Sequence, residues 1–449
     1  MNMSKPTNLE TKLQQYASPV DMLRHSTVGG IQFPIKSEYS NWRDEQEAWQ
    51  HSVILFDQSF HMKDVYVEGP DVKRLISDVA VNSMANFGAN KAKQIVACNY
   101  DGRVIGDAIL FGLSDEKYSV VGRPSVPNWV EFNARTGNYD VKVTVDEWAI
   151  YNKGQRLLYR YQIQGPNALE LIKSVHEGPF PDIKFFHLGE LKIAGHKVRA
   201  LGHNMSRMGG LELHGPLAEG KAVLDAILAA GPKFGLVQGG SRSYATVSPE
   251  SGWIPSPMPA IYAGEKMKPY REWLPAEGFE ATASLGGSFS SPNIEDYYQT
   301  PWDLGYGRHV KFDHDFIGRA ALEKIADQPH RRKVWLRWNN DDVLKVYASQ
   351  LRPGDRYKYM EMPNAYYSLL PFDKVMVNGR MVGLSTYTIY TANVRGWFSL
   401  AMVDDNLADG AEVSVVWGEE NGGSPRPIVE RHVQTEIRAT VSDNRLNLP

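Results

Sequence analysis

Between Phe56 and Asp78 the chain reads FDQSFHMKDVYVEGPDVKRLISD. A polar cluster, Asp57-Gln58-Ser59-Phe60-His61, runs directly into the alternating residues Val65-Tyr66-Val67. A Gly69-Pro70 turn and an amphipathic helical run follow. Period-two alternation predicts a strand, and Gly-Pro predicts its end and the start of a helix. The same order returns at Tyr161-Gln162-Ile163-Gln164, Gly165-Pro166 and the helical run Asn167–Val175. Two such units fit an internal duplication, although Gly-Pro ahead of a helix is common in any fold. A polar loop held between ordered elements is also where a binding site is expected, because loops on a rigid scaffold carry most chemistry.

The remaining pattern extends this mixture of strands and helices. Lys93–Cys98 and Val104–Phe111 flank Asn99-Tyr-Asp-Gly102 and read as a hairpin. A strand at Tyr118–Val121, a helix at Val126–Arg135, strands at Glu190–Ile193 and Val198–Leu201, the run Gly210–His214 and a helix at Gly220–Ala230 follow. Residues 240–310 are rich in Gly, Pro, Ser and aromatics and have few periodic runs, which marks a functional segment or an interdomain wrap. From 333 onward the chain reads as mostly β, with strands at Val334–Trp338, Lys374–Val377, Met381–Thr386, Phe398–Val403 and Glu412–Trp417. Turns at Asn378-Gly379 and Asp409-Gly410 fit a C-terminal β-barrel of about 110 residues. At 449 residues the chain exceeds one compact core, so two or three domains are expected.

Composition narrows the function. A formal net charge of -3 argues against a nucleic-acid binder. With the single cysteine Cys98, no intramolecular disulfide and no cysteine-based metal site can form, and no metal is expected. The first residues are polar and lack the apolar core of a signal peptide, and no run of about 18 apolar residues occurs, so a cytoplasmic chain that does not span a membrane is expected. Eleven Trp and 22 Tyr supply either core packing or a stacking site for a flat ligand.

Several segments, in order, resemble the folate-dependent aminomethyltransferase family typified by the glycine cleavage T-protein. They are Gln58–Met62 with Gly69-Pro70-Asp71, Asp101–Asp107, Gln164-Gly165-Pro166, Gly210-Leu211-Glu212, Phe316-Ile317-Gly318-Arg319 and Ser399-Leu400-Ala401. Longer segments are similar to the bacterial tetrahydrofolate-dependent aromatic O-demethylases: Ser40–Arg43, Asn90–Gln94, Glu250–Pro257, Tyr270–Pro275, Asn293–Tyr298 and Trp417–Gly423. The resemblance implies an α+β, three-domain cloverleaf around a central funnel. Two interleaved α+β domains would occupy 1–310, with an internal split near 50 and 150, and a C-terminal β-barrel 320–449. The implied reaction moves the methyl group of an aryl methyl ether to N5 of tetrahydrofolate. The partner is a small aromatic molecule, a methoxybenzoate, and the chain is a monomer or homodimer.

The resemblance also assigns residues. A lone histidine near a strand is usually structural, but His61 matches the family's loop histidine and is expected to donate a proton or position the ether oxygen. Tyr244 matches a tyrosine of the demethylase site, where its phenol serves the leaving oxygen. Arg123 stands where the demethylases grip a benzoate carboxylate with a bidentate fork. Gln58 reaches the substrate or pterin edge. Glu212 matches the folate-site glutamate, and a carboxylate accepts from the two-donor edge of a pterin. Trp253 and Phe185 wall the pterin or pack the core. Asp107 corresponds to the family's aspartate region and is expected to bind the cofactor; it follows Gly106 where aminomethyltransferases often show paired acids, which speaks against aminomethyl transfer. Members acting on vanillate carry two tyrosines where this chain has Ile31 and Phe33, and a histidine where it has Phe60. Losing those hydroxyls favours a less polar ring, such as a chlorinated methoxybenzoate of the dicamba kind. The competing readings are a vanillate or 3-O-methylgallate O-demethylase, an aminomethyltransferase or aliphatic amine demethylase, and a non-enzymatic folate-binding scaffold. The last normally carries a cysteine signature that the region Tyr244–Gly252 lacks.

Overall fold

The structure is a computed structural model that describes residues 5–30, 34–152, 155–203, 205 and 208–443. Two mixed units and a barrel make up the α+β fold. The first unit is a five-stranded sheet in the order Ala92–Cys98, Val104–Ser114, Lys117–Gly122, Lys63–Glu68, Lys142–Asp146. The second is a six-stranded sheet in the order Leu236–Gly239, Val53–Asp57, Leu158–Gln164, Gly210–Pro216, His196–Gly202, Leu188–Ile193. Val53–Asp57 precedes every strand of the first sheet in sequence yet lies within the second, which is what interleaves the two units.

Both Gly-Pro turns end a strand and turn it into a helix, at Val72–Val79 and Ala168–Val175. Gly69 and Gly165 have φ of +148° and +128°, where L side chains rarely go. In each unit a Cβ would press on the carbonyl just ahead of the neighbouring strand, Asp140 O at 2.4 Å and Ser52 O at 2.6 Å. The repeat seen in the sequence is therefore a repeat of backbone geometry. Gly165→Ala should cost about 1–3 kcal/mol through this strain. A denaturant melt reads the loss; an unchanged midpoint would show that the turn relaxes freely.

Each sheet covers one face with its helices. In the six-stranded sheet, Tyr159, Tyr161, Ile163, Leu211 and Leu213 pack on Leu171, Ile172, Val223 and Ile227. In the five-stranded sheet, Val65, Val67, Leu110 and Val120 pack on Leu75, Ile76, Trp129 and Val130. The helix-free faces meet each other through a small cluster of Phe111, Val121, Leu188, Leu201 and the partly buried Met62, Ile109 and Phe186.

The barrel closes in the order Arg332–Trp338, Gly396–Val403, Arg380–Thr391, Asp373–Val377, Glu412–Trp417, Thr435–Ser442. Five of its strands coincide with sequence expectations. The sixth, Thr435–Ser442, buries Ile437, Ala439 and Val441 on alternate positions, and a helix at Asn340–Gln350 interrupts the β pattern. The irregular stretch after 240 begins with the helix Ser241–Ser251 and then contributes Ile254, Met258, Ile261 and Tyr262 to the largest core, which also holds residues of the first sheet and the barrel. Among the described residues no helix is long and apolar enough to cross a membrane.

Candidate active site

The chain leaves the six-stranded sheet at Asp57 and enters the five-stranded sheet at Lys63, so the polar cluster spotted in the sequence is the crossover between the two sheets. Three contacts fix it. Gln58 N donates to Arg160 O at 2.8 Å, Ser59 N donates to Asp57 Oδ1 at 2.9 Å, and Arg160 N donates to Ser59 Oγ at 2.9 Å. Gln58, Ser59 and His61 are all buried.

Tyr244 arrives from the first turn of Ser241–Ser251. Carboxylates pin that helix at both ends. Glu45 accepts from Gly240 N at 2.9 Å and Ser243 Oγ at 2.6 Å. Glu250 accepts from Trp49 Nε1 at 3.1 Å, Thr391 Oγ1 at 3.0 Å and Asn393 Nδ2 at 3.0 Å. The Tyr244 hydroxyl then lies 2.9 Å from His61 Nε2 and accepts from Gln58 Nε2 at 2.9 Å. The His61 and Tyr244 rings meet edge to face at 4.8 Å, and Phe56 backs Tyr244 at 5.0 Å.

Burial, reinforced by the positive charges of Arg123, Arg156 and Arg160, lowers the His61 pKa to about 3, so the imidazole is neutral in the folded protein at ordinary pH. Burial and Glu212 raise Tyr244, so its phenol keeps its proton. The His61 shift has a stability consequence. Unfolded histidine takes up a proton below 6.5 while the buried ring does not, so this contribution is complete above 6.5 and is lost as pH falls toward about 3. His61→Gln should therefore flatten the acid limb of a Tm-against-pH curve below about 6.5. Parallel curves for the variant and the parent would remove His61 as a cause.

Arg123 lies just past the strand Lys117–Gly122 and donates to Ser256 Oγ at 2.8 Å. Among the described residues no carboxylate pairs with it. Tyr366 and Tyr387 are within its electrostatic reach. Their rings meet edge to face at 5.1 Å, and the Tyr387 hydroxyl donates within the set formed by Ser256 O at 3.1 Å and Leu369 O at 2.9 Å. Tyr387 has φ of +51° where the barrel strand loses register between Thr386 and Ile389. Such a backbone at a bulge re-aims a side chain, here into the interior.

The helix-free face of the six-stranded sheet is polar and nonetheless buried: Arg160, Gln162, Gln164, Glu212 and His214 are each under 7% exposed. Glu212 pairs with Arg160, whose other nitrogen donates to Asp64 Oδ1 at 2.9 Å; Asp64 Oδ2 in turn accepts from Arg156 at 2.7 Å. His203 Nδ1 lies 3.2 Å from Gln162 Oε1, and Met205 N donates to Gln164 Oε1 at 3.1 Å. The amide nitrogens of Gln162 and Gln164 and Gln58 Oε1 are buried without a hydrogen-bond partner. A buried face of unpaired amides is costly unless it serves a polar ligand.

Asp107 forms a neighbouring cluster. Gln94 and Trp253 both donate to its Oδ2, at 2.7 and 2.9 Å, and Tyr306 joins them; burial raises its pKa. Asp107 and Arg123 lie at the same end of adjacent strands, and Tyr244, Trp253 and Ser256 lie along one continuous segment. The fold thus brings His61, Tyr244, Gln58, Arg123 and Glu212 within mutual reach, while Asp107 and Trp253 form a separate cluster with Gln94 and Tyr306. Phe185 is not among them. It is 63% exposed, while Phe186, at φ +56°, turns inward and sets its ring 5.8 Å from His203. Ile31 and Phe33 lie outside the described residues. In the sequence Gln162 and Gln164 stand only as strand residues, and Arg160 and Ser256 carry no site assignment; polar residues on every second position, Arg160-x-Gln162-x-Gln164, are the available signal. Among the described residues no group of three His, Cys, Asp or Glu side chains is placed to hold a metal ion.

Comparison with known proteins gives a consistent match. The GCVT N-terminal domain model matches residues 14–256. The chain is 44% identical over 438 residues to a syringate O-demethylase from Sphingobium sp. SYK-6, covering 97% of this chain and 95% of that protein. It is 30% identical over 401 residues to a sesamin methylene transferase from Sinomonas sp., covering 85% and 83%. The solved glycine cleavage system aminomethyltransferase T from Bartonella henselae superposes with a TM-score of 0.61 at 16% identity, covering 94% of this chain and 95% of that one.

Proposed function

The chain belongs to the GCVT family, and from that premise we propose that it is a tetrahydrofolate-dependent O-demethylase of a methoxybenzoate. One observation carries the reading: a protonated Tyr244 hydroxyl, held by Gln58 and His61, within electrostatic reach of an Arg123 that pairs with no carboxylate among the described residues. The 44% likeness to a syringate O-demethylase supports the same chemistry. Arg123 anchors the benzoate carboxylate, with Tyr366 and Tyr387 as aromatic walls. An aryl ether is a poor electrophile because phenolate leaves reluctantly. With the proton on His61 Nε2, both Gln58 and His61 donate to the Tyr244 oxygen, and its O–H serves the ether oxygen. As the methyl–oxygen bond breaks, that proton passes to the leaving oxygen and the two donors stabilise the developing tyrosinate. General acid help of this kind is worth about two to four orders of magnitude.

Tetrahydrofolate, when bound, would supply the N5 that accepts the methyl group, and the proton that N5 gives up on methylation would restore the Tyr244 phenol, so the products are the phenol and 5-methyltetrahydrofolate. The residues present suit it. Glu212 accepts from the donor edge of a pterin, the unpaired amide nitrogens of Gln162 and Gln164 donate to its acceptors, and Trp253 and Phe186 offer aromatic faces. Glu212→Gln should weaken tetrahydrofolate binding about tenfold by removing a charge-assisted bond while keeping shape, and leave methoxybenzoate affinity unchanged. Separate calorimetric titrations test this; an unaltered folate affinity would take Glu212 out of the cofactor site.

Two ring classes compete. Ile31 and Phe33 favour a less polar, chlorinated ring of the dicamba kind. The likeness to a syringate O-demethylase favours a hydroxylated, doubly methoxylated ring. Incubating the protein with tetrahydrofolate and a panel covering both, and measuring 5-methyltetrahydrofolate, separates them. No 5-methyltetrahydrofolate from any methoxybenzoate would end the O-demethylase reading.

A further inference from the structure

A cleft of about 430 Å³ opens between the two sheets, within the size range of small-molecule sites. It does not include His61, Tyr244 or Arg123. Along Lys117–Gly122, Arg123 lies past the end of the strand while the cleft takes Lys117 and Ser119 near its start. One wall is a cross-strand row, Thr144, Tyr66, Ser119, Phe111, on the helix-free face of the five-stranded sheet. The facing wall is a second row, Arg160, His214, Arg199, Glu190, from the six-stranded sheet.

Three polar atoms on these walls, Tyr66 OH, Ser119 Oγ and His214 Nδ1, are buried without a hydrogen-bond partner. Ser119 and His214 are 3% and 5% exposed, so both are enclosed side chains. The rim is basic. Lys117 and Lys197 form exposed pairs with Glu68 at 2.8 Å and Glu190 at 3.2 Å, which contribute little. Lys142 and Arg199 pair with no carboxylate among the described residues; the Arg199 side chain donates to the Asn90 amide oxygen at 3.0 Å. Leu113 and Leu158 supply apolar wall between the polar rows. Hydroxyl donors, a neutral imidazole, an apolar lining and two cations outside any ion pair of the described residues suit one class of ligand.

We propose that this cleft is a second binding site, taking a small organic carboxylate with an apolar or aromatic body, and that its occupancy is coupled to Glu212 through Arg160. Arg160 lines the cleft and is also the partner of Glu212, so a carboxylate entering the cleft competes for that guanidinium. The cleft stands on its own residues; only the coupling rests on the demethylase reading. The ligand chemistry has two sources, the glutamyl arm of a folate and a free aryl carboxylate.

The test is calorimetry on an Arg123→Ala background, which removes the carboxylate anchor of the proposed substrate site. The probes are p-aminobenzoyl-triglutamate, 4-isopropylbenzoate and the neutral 4-isopropylbenzamide. At least one carboxylate should bind, the amide should not, and adding Lys142→Glu with Arg199→Glu should weaken binding about tenfold or more. Thr144→Trp, on an exposed edge position at the mouth, should do the same without touching a charge. Displacement of p-aminobenzoyl-triglutamate by tetrahydrofolate identifies the folate arm; simultaneous binding of 4-isopropylbenzoate and tetrahydrofolate identifies a free carboxylate. Equal binding of acid and amide, no binding of either acid, or variants that bind like the parent would overturn the site. A tetrahydrofolate affinity that ignores a bound carboxylate would overturn the coupling alone. None of these readouts needs turnover, so their failure is separable from failure of the O-demethylase reading.

Discussion

Tyr244→Phe should lower kcat for O-demethylation by about two to four orders of magnitude while leaving methoxybenzoate affinity nearly unchanged. The substitution removes one oxygen and keeps the ring that packs on Phe56 and His61, so the fold and the site's walls persist. What is lost acts on charge that appears only as the ether bond breaks, and such interactions belong to the transition state. The variant also leaves Gln58 Nε2 and His61 Nε2 without the oxygen they share, a ground-state cost that thermal denaturation measures separately. His61→Ala should reduce kcat less, because Gln58 continues to steady the tyrosinate. Electron-withdrawing ring substituents make the phenol a better leaving group, so chlorinated substrates should recover part of the rate in both variants. A Tyr244→Phe enzyme within about threefold of the parent on an unactivated methoxybenzoate would rule out the phenol as the acid.

How much of this site could be read from the chain depends on whether a residue's neighbours are local. The crossover loop was legible because polar Asp57–His61 abuts a clear strand, and the two Gly-Pro turns were legible because positive φ demands glycine there. The polar sheet face was legible in principle. Gln162 and Gln164 alternate with Tyr161 and Ile163, but alternation alone does not say that the polar side is enclosed. Only the packing of Leu201 and Leu188 against Phe111 and Val121 does that. The Arg160–Glu212 and Arg160–Asp64 pairs join three strands of two sheets and leave no mark in any single segment. Phe185 and Phe186 are equivalent as sequence; the backbone at Phe186, φ +56°, decides which ring faces inward. Tyr387 enters the site through a barrel irregularity, and Ser256 meets Arg123 only because the segment after Ser251 folds back over the first sheet.

Arg123→Ala should raise KM for a methoxybenzoate by about ten- to a hundredfold, the loss of a charge-assisted pair worth about 1.5–3 kcal/mol. The effect on kcat should be smaller, because the carboxylate is remote from the breaking bond and is bound alike in ground and transition states. The geometry explains the size. Ser256 Oγ occupies one guanidinium nitrogen at 2.8 Å, and no carboxylate of the described chain competes for the others, so a benzoate meets a cation already held in place. Ser256 is itself tied to the barrel, since its carbonyl accepts from Tyr387 at 3.1 Å. Arg123→Lys should recover only part of the loss, because an ammonium keeps the charge but not the planar fork. The substrate supplies the complementary test. Replacing the carboxylate of the methoxybenzoate by a carboxamide should raise KM for the parent nearly as much as Arg123→Ala does, and should cost the variant little more. The two changes would then be non-additive, as two halves of one contact must be. Additive losses would place the carboxylate elsewhere in the site and leave Arg123 as a structural anchor of Ser256, while the acid role of Tyr244 would stand untouched.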